Sequence, residues 1–398
     1  MSVHELALQR NKYKHLSDEE WRWMLQQVEG RERTADKLPT FAAIEDWWYP
    51  VRLSCEQCSS ELTARYKKLI VESLKLKEVG EFKVESSLLD LTGGYGVDTY
   101  FLSERFTHTD YVEQNPELCR IAEHNFSLID NRKSIIVHNT TAEDFLSSAG
   151  EYDLIFLDPA RRDSHGGKVF KLADCTPNVV ELLPTLLQHS KRILLKLSPM
   201  LDISQAVKEL SAFSLQWSVY VVAVKNEVKE VLLLSRNIEI SKYRDVEPSI
   251  TCIDLAEPEK AFVFTREQEK EAQCQMVNGK CENGKWLYEP SAAILKAGAY
   301  KLVAQRFGLQ KLDVNTHLYA SDQLVENFPG RVWEIKSQIE NQKSKIEQAN
   351  IVCRNYPLTP EQVKKKLHLR DGGTAYVIGC RVAGKPTLFY AERVEDIH

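Results

Sequence analysis

Leu88-Leu89-Asp90-Leu91-Thr92-Gly93-Gly94-Tyr95-Gly96-Val97-Asp98 is the stretch that decides the fold of this 398-residue chain. Its leucine-rich start reads as a buried strand, and the helical pattern of Val97–Phe106 follows the glycines at once. A strand that turns through glycines into a helix opens a βαβ unit. Glycine there lets the backbone turn tightly and approach a ligand with no Cβ in the way. The turn alone suits dinucleotides, phosphates and adenosyl ligands equally. No Gly-Lys-Ser/Thr follows it, so it is not a phosphate loop.

The acidic residues around the turn narrow the choice. Asp90 at the strand end would repel a pyrophosphate but suits a cationic amino-acid group, which disfavours NAD and favours S-adenosylmethionine. Outward from the turn, strand and helix patterns alternate through HTDYVEQN, PELCRIAEHNFSLI, KSIIVHN, AEDFLSSA, YDLIFLDP, a helix around 176–189 and RILLKLSP. Such alternation implies a parallel sheet. LQWSVYVVAVKN and VKEVLLLS then read as an antiparallel hairpin that closes it. Glu113 ends the second strand, where it can accept from both ribose hydroxyls. Asp144, after the third, can accept from an adenine amine. Three acids after three successive strands, joined to a glycine turn, predict an adenosyl-ligand site.

In this combination the sequence resembles the class I S-adenosylmethionine-dependent methyltransferases over about residues 84–236. LLDLTGGYGVD looks like their first motif, YVEQN their second and TAED their third. The resemblance implies an α/β, Rossmann-like seven-stranded sheet with S-adenosylmethionine as cofactor. It carries cofactor binding onto Asp90, Thr92, Gly93, Gly94, Gly96, Asp98, Glu113, Asp144 and Asp158.

The fourth strand ends in Asp158-Pro159-Ala160-Arg161. In an open α/β sheet, substrates sit beyond the strand carboxyl ends. The family's base-amine methyltransferases carry Asp/Asn-Pro-Pro-aromatic there; Ala160 and Arg161 depart from it, leaving Asp-Pro-containing RNA methyltransferases as the nearest likeness. Asp158 is the expected proton acceptor or orienter, and Pro159, Arg161 and Lys196 join it as catalytic candidates. Lys196, with Lys67 or Lys68 and Glu227 or Glu230, loosely resembles the Lys-Asp-Lys-Glu tetrad of ribose 2′-O-methyltransferases. No cysteine stands where pyrimidine C5 methylation needs one.

The flanks read differently. Residues 1–80 are helical: Ser17 and Glu20 form a capping box, and Leu62, Tyr66, Leu69, Ile70 and Leu74 recur at helical spacing in a second run from about Glu56 to Lys77. Between them Trp47, Trp48 and Tyr49 mark a linker packed on the core by aromatics. Cys55 and Cys58 form a lone CxxC; with only Cys274 and Cys281 as a further pair, buried thiols are expected rather than zinc. After 240, β-α-β-β patterning closes the chain, with Lys364, Lys365, Lys366, His368 and Arg370 on or beside one helix and Tyr356 and Tyr376 nearby. This part, with WLYEPSAAILKAG, THLYASD and the earlier EQCSSELTARYK, resembles the THUMP-like methyltransferase family typified in Bacteroidetes. That implies regions 1–80 (helical), 81–238 (methyltransferase), 239–325 (α+β, ferredoxin-like) and 326–398 (THUMP-like).

Composition sets the frame. Hydrophobic residues are 43% and charged residues 27%, a globular balance, and the net charge of −5 gives no global attraction to nucleic acid. From Arg331 onward 12 Lys and Arg stand against 8 Asp and Glu, so a basic tail follows an acidic body. No apolar run spans a bilayer, and the charged N-terminus is unlike a secretory signal. Nine scattered cysteines fit a reducing, cytoplasmic setting. The expected function is methylation of structured RNA, tRNA or rRNA, with RNA held by the C-terminal domain and no metal or membrane partner. Protein or small-molecule methylation, or a catalytically idle RNA-binding factor, are the alternatives.

Overall fold

The computed structural model describes residues 2–77, 86–129, 134–161, 171–190, 192–211, 215–237, 248–277, 285–339 and 346–394. The chain divides into two compact units, residues 1–217 with 232–246 and residues 218–231 with 247–398.

The first unit begins with helices α1 (Val3–Ala7), α2 (Asp18–Thr34), α3 (Pro39–Ala43), α4 (Arg52–Gln57) and α5 (Glu61–Lys77). The capping box ahead of α2 forms as expected: Glu20 N–H donates to Ser17 Oγ at 3.2 Å and Ser17 N–H to Glu20 at 2.7 Å. The run expected as one helix from Glu56 is two, α4 and α5. Its buried face also differs from the leucine periodicity. Leu62 and Leu69 are 43% and 56% exposed, whereas Thr63, Ala64, Lys67, Ile70 and Val71 face inward. Alternation follows through β1 (Ser87–Asp90), α6 (Val97–Ser103), β2 (His108–Glu113), α7 (Pro116–Ser127), β3 (Ser134–Asn139), α8 (Ala142–Leu146) and β4 (Leu154–Leu157). Two short strands, β5 (Ala160–Arg161) and β6 (Cys175–Thr176), pair antiparallel. Then come α9 (Val179–His189), β7 (Ile193–Leu197), α10 (Ile203–Leu210) and the hairpin strands β8 (Leu215–Val224) and β9 (Glu227–Asn237).

The sheet order is β3-β2-β1-β4-β7-β9-β8, with parallel pairing from β3 through β7, and among the described residues two further strands beyond β8 bring the sheet to nine. Order reverses at β1, so the crevice beyond the carboxyl ends of β1 and β4 is the topological switch point. Leu88, Leu89, Ile155, Phe156, Leu157 and Leu194 are almost wholly buried, as strands covered on both faces require. The N-terminal helices share this unit's core: Leu38, Phe41, Trp47 and Tyr49 pack with Tyr95, Val97 and Phe101. Helices α1–α5 thus lie in the same compact unit as the parallel sheet.

In the second unit β10 (Ile250–Asp254) runs parallel to β8 and β11 (Phe262–Phe264) antiparallel to β10. The β8–β9 turn holds Lys225 and Asn226 at φ 51° and 62°, and their N–H groups donate to the Asp254 carboxylate at 3.0 and 2.5 Å. Helix α11 (Arg266–Glu271) precedes a second sheet built from β12 (Trp286–Pro290), β13 (Gln310–Asp313), β14 (Thr316–Ser321), β15 (Gly330–Gln338), β16 (Asn350–Cys353), β17 (Ala375–Val382) and β18 (Lys385–Arg393). Its order is β13-β14-β12-β15-β18-β17-β16. Helices α12 (Ala292–Ala297), α13 (Tyr300–Phe307) and α14 (Pro360–Leu367) complete the unit. The ferredoxin-like and THUMP-like segments, expected as separate regions, share this sheet because β12 pairs with β15.

Candidate active site

β1 delivers Asp90 to the switch point, where the residue is 1% exposed. Thr99 Oγ1 donates to its Oδ2 at 2.5 Å and Thr92 N–H to its Oδ1 at 3.0 Å. Burial dominates over these bonds and pushes the carboxyl up to about 7. The glycine turn is held by Gly93 N–H on Val112 O at 2.9 Å and Gly96 N–H on Gly93 O at 2.8 Å. A Cβ on Gly93 would lie 2.1 Å from Cε2 of Tyr111, and Gly96 sits at φ +80°, so both positions require glycine. Tyr111 OH donates to Gly94 O at 2.6 Å and anchors the turn to β2. Glu113 accepts from Gly94 N–H at 3.0 Å and Asn115 N–H at 2.7 Å.

Asp90, Thr92, the glycine turn and Glu113 line one cavity of about 320 Å³. It brings together the sequence-predicted Asp90, Thr92, Gly93, Gly94 and Gly96 with Asp98, Glu113, Asp158 and Lys196. Pro159 and Asp144 are not among its lining residues. Asp144, the third residue of α8, accepts the Thr141 hydroxyl at 2.8 Å, and its neighbour Glu143 faces the cavity instead. Ala160 and Arg161 run along β5; the Arg161 side chain lies outside the described residues, as does Cys281.

Asp158 stands where β4 ends. Its N–H donates to Thr92 Oγ1 at 2.6 Å, and Lys196 Nζ donates to its Oδ2 at 2.5 Å. Asp98, the second residue of α6, turns from the glycine loop toward the N-terminal helices: Ser59 Oγ donates to its Oδ2 at 2.7 Å, and Lys67 Nζ lies 3.2 Å from Oδ1. Burial acts to raise this carboxyl, but Lys67 and Lys196 together with the Ser59 bond hold it below the usual carboxylate range. Of the other charged candidates, Lys68 pairs with Glu104, and Glu227 with Lys229 at 2.6 Å. Glu230 is buried, and both glutamates lie in the hairpin segment assigned to the second unit.

Sequence reasoning missed Thr99 as the partner of Asp90 and Glu143 as the acid that reaches the cavity, and the linker between α4 and α5 adds Cys58 and Ser59 to the cavity wall. Of the two lysines offered for the tetrad likeness, Lys67 is the buried one, on the stripe of Ala64, Ile70 and Val71. Cys55 and Cys58 are free thiols; Cys58 Sγ donates to Cys55 O at 3.2 Å. Among the described residues no group of three or more His, Cys, Asp or Glu is arranged to hold a metal ion, and no helix is long and apolar enough to cross a membrane.

Comparison with known proteins agrees with this geometry. Residues 286–329 match the model of a ferredoxin-like domain and residues 327–393 that of a THUMP domain-like family. Over 309 residues the chain is 22% identical to an uncharacterized S-adenosylmethionine-dependent methyltransferase of Mycobacterium tuberculosis, covering 74% of this chain and 76% of the relative. It is 31% identical, with a TM-score of 0.81, to the crystal structure of a protein assigned as a methyltransferase from Porphyromonas gingivalis W83, covering 96% of this chain and 92% of that one.

The cavity fits S-adenosylmethionine. Its volume lies at the lower end of the range of small-molecule sites. Its acidic wall suits a ligand with a sulfonium and an ammonium, and the bare Gly93–Gly94 backbone admits close approach. With its reversed-order sheet, switch-point cavity and C-terminal sheet, this chain belongs to the class I S-adenosylmethionine-dependent methyltransferases that carry a C-terminal THUMP-like domain.

Proposed function

We propose that this enzyme methylates structured RNA, tRNA or rRNA, in the cytoplasm. The observation that carries the reading is Asp158 held by Lys196 in the cofactor cavity of a chain that also has a THUMP-like segment. Support for an RNA partner comes from the basic balance after Arg331 and from exposed Lys365, Lys366 and Arg370 on and beside α14. The free thiols of the described cysteines suit a reducing compartment.

S-adenosylmethionine, when bound, supplies an electrophilic methyl group. Asp90 holds the cationic amino-acid end, and Glu113 takes the ribose hydroxyls. At the adenine amine the Glu143–Asp144 pair accepts, with Glu143 the member that reaches the cavity. Thr92 joins the two ends of the site, since it donates to Asp90 from its backbone and accepts from Asp158 with its hydroxyl. Asp158 then orients the acceptor and takes its proton, while Lys196 fixes the carboxylate and Pro159 shapes the strand exit. Arg161 is kept as a candidate for RNA phosphate or a base on the chemistry of its guanidinium alone. Positioning plus one proton acceptor is enough for methyl transfer.

The test is transfer of tritium from labelled cofactor into RNA from cells lacking the gene. RNA labelling is expected, and Asp158→Asn should lower its rate about 100-fold or more at saturating cofactor. Label confined to protein or metabolites would refute the RNA reading.

A further inference from the structure

Four side chains run from the interior to the cavity with alternating charge. Lys67 Nζ lies 3.2 Å from Asp98 Oδ1, Asp98 Oδ2 lies 3.5 Å from Lys196 Nζ, and Lys196 Nζ lies 2.5 Å from Asp158 Oδ2. Side-chain exposure rises along the same path, from 0% at Lys67 through 10% and 11% to 39% at Asp158. Ser59 braces the inner end: its Oγ donates to Asp98, and Lys67 Nζ donates to Ser59 at 3.4 Å. A buried charge without a partner is strongly destabilising, so each member depends on the next. The chain begins on α5, outside the parallel sheet, and ends on the residue proposed to face the acceptor.

We propose that this chain presents Asp158 as a fixed anion and weak base, that Lys67 is its positioning residue, and that the methyl acceptor is a neutral amine nitrogen. The inference rests on the proposed role of Asp158. A hydroxyl is a poor nucleophile until its proton leaves, which calls for a base stronger than a carboxylate, such as a neutral lysine. Lys196 donates to Asp158 and lies 3.5 Å from Asp98, so its nitrogen is engaged by two carboxylates rather than aimed at an acceptor. An amine needs no prior deprotonation. Its lone pair forms the N–C bond as the C–S bond breaks, with the bond electrons left on sulfur. The nitrogen then carries a positive charge and loses one proton to the Asp158 carboxylate, which passes it to water. A weak base suffices, because an alkylated aromatic amine is a strong acid in its cationic form.

Two measurements test this. In the first, the methyl group is located after incubation of the full-length enzyme and tritiated cofactor with RNA, protein and small-molecule fractions from cells lacking the gene. Label on an amino nitrogen is expected. On an RNA base it supports both readings, and on a protein or metabolite amine it supports the inference while refuting RNA as substrate. Label on a ribose oxygen, ring carbon or thiol overturns the inference and leaves the RNA reading standing.

The second needs no acceptor. Calorimetry compares S-adenosylmethionine with its uncharged-sulfur product, S-adenosylhomocysteine, on wild type, Lys67→Met and Lys67→Met/Asp98→Leu. Loss of Lys67 alone leaves an extra negative charge near the sulfonium, so preference for S-adenosylmethionine should rise about three- to tenfold. In the double variant the removed charges cancel, and the preference should return to within about twofold of wild type. Lys196→Met, at the cavity wall, gives the same reading if Lys67→Met does not fold. An unchanged preference in every single variant would overturn the charge chain.

Discussion

Cofactor binding should be coupled to release of a proton from Asp90. The group is fully buried, and its carboxyl is pushed up to about 7 by loss of water, against hydrogen bonds from Thr99 and Thr92. A cationic amino-acid group on it needs the ionised form. With that value about a tenth of the protein is competent at pH 6 and about nine-tenths at pH 8, so apparent affinity should rise about tenfold over the interval. Calorimetry at pH 6 in buffers of different ionisation enthalpy should show close to one proton released per cofactor bound. Asp90→Asn should bind more weakly at pH 8 and lose the Asp90 part of the dependence. The difference between the two proteins removes any titration of the cofactor itself. The sign for stability is opposite: a raised carboxyl stabilises the fold in its protonated form, fully below about 4, decreasingly as pH rises, and no longer above about 7. Without cofactor the wild type should therefore lose Tm relative to Asp90→Asn between pH 5 and pH 8. Cofactor affinity that stays level from pH 6 to 8, with no buffer-dependent heat, would refute the assignment of Asp90.

Two further outcomes follow from single contacts. Gly93→Ala would set a methyl 2.1 Å from the buried Tyr111 ring, so it should cost about 2–4 kcal/mol and remove cofactor binding; thermal melting within a degree of wild type would contradict the packing. In the second unit Glu289 is 2% exposed in its side chain and is held by Arg354 at 2.5 Å and Arg331 at 3.5 Å. Arg354→Met leaves a buried carboxylate with the longer Arg331 contact alone and should cost about 2 kcal/mol, whereas Glu289→Gln lets partly exposed arginines turn to water and should cost about 1 kcal/mol. Urea titrations giving the reverse order would overturn that account.

What the sequence disclosed and what it withheld follow from how local each cause is. The turn from β1 to α6 was legible because strand, glycines and helix lie within a few residues and each acts on its own backbone. Glu113 and Asp158 were legible for the same reason, as acids at strand ends. Lys67 was not. Periodicity ranks leucine above lysine, so the helix was expected to bury Leu62 and Leu69, which are exposed. The lysine can lie inside only because Asp98, far along the chain, neutralises it. The second sheet was hidden for a related reason. Each strand could be read from its own composition, but β12 lies between β14 and β15, and nothing local in WLYEP announces those partners. Asp144 and Glu143 show the limit at its finest: one residue's rotation around the first turn of α8 decides which acid reaches the cavity.

The N-terminal helices supply part of the cavity wall and pack behind its glycine turn. Trp47 Nε1 donates to Tyr95 OH at 3.0 Å, and Tyr95 OH donates onward to Trp48 O at 3.3 Å. Asn125 on α7 accepts Trp48 N–H at 2.8 Å and donates to Trp48 O at 2.9 Å. The glycine turn is thereby clamped on two sides, by Tyr111 of β2 through Gly94 and by the aromatic linker through Tyr95. A rigid turn spends no ordering entropy when the cofactor arrives, so each clamp contributes to affinity without touching ligand. The same linkage works in reverse, because a ligand that binds only the clamped turn stabilises the helices that clamp it. Removing residues 1–80 would therefore not leave a smaller methyltransferase: Phe101 and Tyr95 would lose their cover, and Asp98 would stand beside the cavity without Lys67 or Ser59.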